Sequence, residues 1–186
     1  MAQAKAQSAQ SASNMGAQTY TLEMERIFEA PIERVWDAWT KPEIMALWNG
    51  PRAWPMAEAE GNLRVGGKWR ARLHSDEGQA CSKNCGELEG KNYGTPNKAG
   101  GFDLFQSGEY KVIEPMTKLV FTFGWESGHS MPGVETLITI QLEKRGNRTR
   151  MLFTQERMTD EFEVTSHRGG WTSAFGRLDD YFVGNL

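Results

Sequence analysis

The chain has 186 residues, enough for one domain with a sizeable core. Its formal net charge is -3, with acids and bases interspersed, which leaves no basic face for nucleic acid or an anionic membrane surface. Apolar runs extend only a few residues, so none spans a bilayer.

The first 18 residues are mostly Ala, Gln and Ser with one lysine. They lack the apolar centre of a signal peptide, so a cytoplasmic protein is expected. They also bury too little surface to offset their ordering entropy, which predicts a disordered tail over 1–18 and a single domain over 19–186.

YTLEMERIF alternates, with Tyr20, Leu22, Met24 and Arg26 on one face, and predicts a first strand. Pro31 suits the first turn of a helix, whose apolar stripe is Ile32, Val35, Trp36 and Trp39. Thr40 with Glu43 resembles a capping box and, with Pro42, predicts a second short helix. The stripe of that helix is Ile44, Leu47 and Trp48, and Asn49-Gly50-Pro51 ends it. Two such helices cannot bury their inner faces alone. Their three indoles are expected to cover the end of a sheet.

Met56 to Leu63 and Val65 to Leu73 predict two strands, with Gly66 and Gly67 where they meet. Trp69, Ala71 and Leu73 share one face; Arg70 and Arg72 fall on the other and are expected in solvent. From about 75 to 105 the periodicity dissolves, a long stretch for a loop, although GFDLFQ can pair as strand. Cys81 and Cys85 lie within it. With only His74, Asp76 and Glu77 nearby they read as plain loop thiols, and no metal site is assigned.

GEYKVIEP, KLVFTFGW, GVETLITIQLEK and NRTRMLFTQER predict four further strands. Their inner face carries Tyr110 and Val112, Leu119 to Trp125 at every second position, Val134 to Leu142 likewise, and Met151, Phe153 and Gln155. The last segment, from Thr159, is helical, with Trp171, Ala174, Phe175, Leu178 and Phe182 on one stripe. The expected fold class is α+β: a curved antiparallel sheet of about six to seven strands around a long C-terminal helix, with two short helices after the first strand.

The series FEAPIERVWDAWTKPEIMALW, RVGGKWR, GEYKVIEPMTKLVFTFGW, VETLITIQLEKRGNRTRMLFTQE and GGWTSAFGRLDDYF resembles the activator of 90-kDa heat-shock protein ATPase homologue-like family. That family belongs to the START/Bet v 1-like (SRPBCC) superfamily. The resemblance implies a helix-grip fold around a hydrophobic cavity. It runs from about Thr19 to the C-terminus, apart from the insertion at about 75–105. It does not include the additional N-terminal domain of the eukaryotic co-chaperone.

Trp39, Trp48, Trp69, Phe121, Phe123, Trp125, Met151, Phe153, Gln155, Trp171 and Phe175 are the expected cavity lining. Aromatic walls suit a small hydrophobic or aromatic ligand, but the same side chains could simply pack together. Gln155 shares the inward alternation and either anchors a ligand or meets water near the sheet edge. No motif for a nucleophile, a metal or a cofactor is present, so no catalytic residue is assigned. His74, His129 and His167 are read as solvated loop or helix-end residues. A cyclase- or dehydratase-like enzyme would need a polar pair inside, for which Gln155, Glu126 and His129 are the candidates. Chaperone association is the third reading. The insertion is either a flap that narrows access to the cavity or contacts a second copy in a homodimer, or a solvated excursion.

Overall fold

The computed structural model describes residues 18–76, 95–126 and 133–185. Cys81, Cys85, His129, nearly all of the expected tail and most of the insertion lie outside these residues.

Strand β1 (Tyr20–Phe28) is followed by α1 (Ile32–Thr40) and α2 (Pro42–Trp48). Strands β2 (Met56–Gly61), β3 (Lys68–His74), the two-residue β4 (Thr95–Pro96), β5 (Phe102–Glu114), β6 (Lys118–Trp125), β7 (Thr136–Arg145) and β8 (Arg148–Met158) come next. Helix α3 (Glu161–Val183) closes the described chain. The strands form one antiparallel sheet in the order β1-β8-β7-β6-β5-β3-β2, with β4 paired to β5 off this path. The sheet curves around α3, the expected helix-grip fold. No helix among the described residues is long and apolar enough to cross a membrane.

Alternation decides which side of each strand meets the helix. Leu22 and Phe28 of β1, Ile138 and Ile140 of β7, and Met151 and Phe153 of β8 are buried, as their period of two requires. Helix α3 is capped by Asp160, whose side chain accepts from the Glu163 N–H, and ends at Gly184 in a left-handed conformation. Its full predicted stripe is buried.

Three local expectations are corrected. Thr40 does not cap α2. It is the buried last residue of α1, and its hydroxyl donates to the Trp36 carbonyl one turn back, so the N-cap falls to Lys41. Leu47 is exposed while Met45 and Trp48 are buried, because α2 rolls Met45 inward. Trp36 is only half-buried, whereas Trp39 and Trp48 sit in the core. The Trp48 indole donates to the Ala38 carbonyl at 2.9 Å and ties the two short helices together.

The insertion also ends earlier than expected. Phe102 to Phe105 already belong to β5, and Asp103 and Phe105 pair with His74 and Arg72 of β3. Arg72 is not simply solvated. It lies between Glu58 at 2.7 Å and Asp103 at 3.1 Å, and Asp103 also bonds His74 Nδ1 at 2.8 Å. This cluster joins β2, β3 and β5 on the face away from α3.

Candidate functional site

A narrow crevice of about 20 Å³ lies between the sheet and the helices, room for one water-sized group. Six elements bring one or two side chains each to it: Trp39 from α1, Met45 and the C-cap Asn49 from α2, and Trp69 from β3. Gln106 and Tyr110 come from β5, Phe121 and Phe123 from β6, and Trp171 from α3.

Five of the expected lining residues meet here: Trp39, Trp69, Phe121, Phe123 and Trp171. Most of the others pack behind them instead. Phe153 lies 4.7 Å from the Trp171 ring and Trp48 4.8 Å from the Trp39 ring, centroid to centroid, and Phe175 and Met151 are fully enclosed. Among the described residues, these side chains fill the space beside the crevice. Trp125 is half-buried and lies edge-on to Phe123 at 5.4 Å, where it also packs near Leu73 and Leu104.

Met45, Asn49, Gln106 and Tyr110 were not among the expected lining residues. For Gln106 the signal was present. Counting back by twos from Tyr110 gives Gly108, Gln106 and Leu104 on the inner face, and Gln106 and Leu104 are buried. Placing the insertion through residue 105 hid that register. Asn49 is a helix C-cap, and composition does not reveal which way such a side chain turns.

Gln155 is fully buried and is a structural hub. Its Nε2 donates to Thr136 Oγ1 at 2.9 Å; its Oε1 accepts from Trp171 Nε1 at 2.9 Å and lies 3.0 Å from His167 Nδ1. The expectation of a solvated His167 is therefore wrong. It is 6% exposed, four residues before Trp171 on the inner stripe of α3, and Glu163, a turn earlier, is also buried. A carboxyl oxygen of Glu163 lies 3.8 Å from His167 Nε2.

Burial pushes the His167 imidazole down to about 4, because the interior disfavours its cation. The unfolded chain takes up that proton near pH 6.5, so the contribution of the neutral histidine is complete above that pH. It falls as pH drops toward 4. Between pH 7.5 and 5 the protein should lose about 2 kcal/mol from this residue. Among the described residues, Glu163 is an ionisable group facing it, while Gln155, Phe123 and Trp125 beside it carry no charge. Urea unfolding of the native chain and of His167→Gln at both pH values checks this. Equal losses in the two proteins would refute it.

The polar pair suggested for catalysis is not assembled among the described residues. Arg70 holds Glu126 through two 2.8 Å bonds, which keeps the carboxyl below its ordinary range, and the guanidinium lies 4.3 Å from the Phe105 ring. His129 lies outside the described residues.

Comparisons with known proteins come down to one family and one fold. The model of the family described as "Activator of Hsp90 ATPase homolog 1-like protein" matches residues 29–183. No curated protein matches the chain in sequence. Among solved structures, a protein of the same family from Silicibacter pomeroyi superposes with a TM-score of 0.66 at 20% identity, covering 90% of this chain and 100% of that one. A Rhodobacter sphaeroides protein gives 0.64 at 22% identity, covering 89% and 94%. A protein of the dynemicin biosynthetic locus gives 0.60 at 19% identity, covering 87% of this chain and 46% of that one. At such identities these likenesses establish the fold alone.

Proposed function

Because this chain belongs to the Activator of Hsp90 ATPase homolog 1-like family, whose fold grips a helix inside a curved sheet, we propose that it binds a small hydrophobic molecule with an aromatic ring at the crevice. One observation carries the reading. Rings from α1, β3, β6 and α3 converge on a space that they do not close. Mostly apolar walls with a few polar groups are the usual make-up of a small-molecule site.

A ligand larger than one water must part those walls. Met45 is the pliable member, since its unbranched side chain changes shape at little cost. The end of α2 stays in place, because Arg177 of α3 holds it through the carbonyls of Leu47, Asn49 and Gly50.

Titrating labelled protein with a panel of ring compounds tests the reading. Saturable shifts of the Trp39, Trp69 and Trp171 indole N–H signals are expected, with thermal stabilisation that grows with ligand concentration. No saturable shift up to the solubility of any compound would overturn it.

The family description supports a second reading, stimulation of a chaperone ATPase. Turnover by a purified chaperone of the 90-kDa class, with and without the chain, tests it. An unchanged rate would dismiss it.

A further inference from the structure

We infer that the crevice selects an uncharged ring that carries a hydroxyl or carbonyl group, with that oxygen received by the side chains of Gln106, Asn49 and Tyr110. This rests on the binding reading above and narrows it to a ligand class.

The polar groups that the described residues bring to the crevice are neutral: two amides, one phenol and the indole N–H groups of its tryptophans. Gln106 is 5% exposed, and its amide makes no hydrogen bond to another described residue. Among the described residues, the fully buried donor on the crevice without a hydrogen-bond partner is the Trp39 indole N–H, so a ligand oxygen that accepts from it beside the Gln106 amide gains a hydrogen bond the protein does not otherwise form. An amide both donates and accepts, so Gln106 and Asn49 match a hydroxyl or a carbonyl equally well. Asn49 already accepts from the Gly50 N–H through Oδ1, which leaves its amide N–H groups as donors. Tyr110 is 3% exposed, and burial raises its hydroxyl above the ordinary range, so it stays a neutral donor at pH 7. Its hydroxyl has room because Gly61 lies opposite; a Cβ there would sit 3.3 Å from the oxygen.

Charge is disfavoured from both directions. Among the described residues, no Asp, Glu, Lys or Arg lines the crevice. Arg177 is tied to the carbonyls of Leu47, Asn49 and Gly50, and both of its terminal nitrogens are engaged there. A carboxylate entering the aromatic walls would lose its hydration without meeting a cation. The space of about 20 Å³ is the size of one oxygen-bearing group rather than of a ring, which fits a polar tip anchored there while the walls part for the remainder.

Three matched compounds, naphthalene, 2-naphthol and 2-naphthoate, test the inference by calorimetric titration of the native chain. The naphthol is expected to bind at least tenfold more tightly than naphthalene, and at least tenfold more tightly than the naphthoate. Gln106→Leu should bring the naphthol close to naphthalene, both measured in the variant. Equal affinities for naphthalene and the naphthol in the native chain, or a naphthoate that binds as tightly as the naphthol, would overturn the inference and leave the binding reading standing. Binding of none of the three would remove both.

Discussion

Gly108→Ala should abolish the stable fold. A Cβ at this position would stand 1.7 Å from the Thr122 carbonyl oxygen and 2.6 Å from its carbon, both backbone atoms of β6. It would also meet the Trp69 indole nitrogen at 2.7 Å. That nitrogen donates to the same Thr122 carbonyl at 3.1 Å, so one methyl group would displace both partners of a buried hydrogen bond. Overpacking against side chains costs about 1–3 kcal/mol, because rotamers adjust. Here no rotamer helps. Strands β5 and β6 must separate at Gly108, which on its other side pairs with Trp69 of β3. A loss of about 4 kcal/mol or more is expected, comparable to the whole stability of a marginal domain. Soluble yield and the thermal midpoint measure it. Gly169→Ala in α3 is the control, since a Cβ there meets nothing within 4 Å. A Gly108→Ala protein as stable as that control would show that the sheet yields more easily than its packing implies.

Gln155→Leu should be the next most damaging change. Leucine is of similar size, so little of the loss comes from volume. The loss comes from three partners. The Trp171 indole N–H and His167 Nδ1 lose their shared acceptor, and Thr136 Oγ1 loses a donor, although it still donates to the Phe123 carbonyl at 3.0 Å. Each buried polar group left without a partner costs about 1–3 kcal/mol, so the sum should reach about 3 kcal/mol or more. The effect should also be non-additive. Once Gln155 is gone, His167→Gln should cost much less than it does in the native chain, because the two side chains belong to one network. Urea unfolding of the single and double variants measures both quantities. A Gln155→Leu loss under about 1 kcal/mol, or full additivity, would mean that the network tolerates its missing centre.

The backbone of this fold was legible in the linear chain because its signals are local. A period of two assigned the inner faces of β1, β7 and β8 residue by residue, and Pro31 and Pro42 marked the two short helices. The stripe from Trp171 to Phe182 marked the buried side of α3, and the order of these segments carried the family. Polar residues on those same faces were harder to read. Gln155 lay on the predicted inner face, yet whether it would meet a ligand, water or protein depended on Thr136, His167 and Trp171, contributed by β7 and α3. His167 and Glu163 sit on the α3 stripe at the proper spacing, but composition alone reads such residues as solvated.

The crevice itself was decided only by the tertiary structure. The aromatic inventory was compatible with either an open cavity or a packed core. The choice turns on a few ångströms between rings such as Phe153 and Trp171, set jointly by rotamers from several elements. Gln106 reached the site through the register of β5 against β3, and Asn49 through the direction in which the chain leaves α2. Side-chain periodicity is a property of one segment and can be counted along it. The volume left where segments meet is a small difference between large packed volumes, and it exists only once all of them are in place.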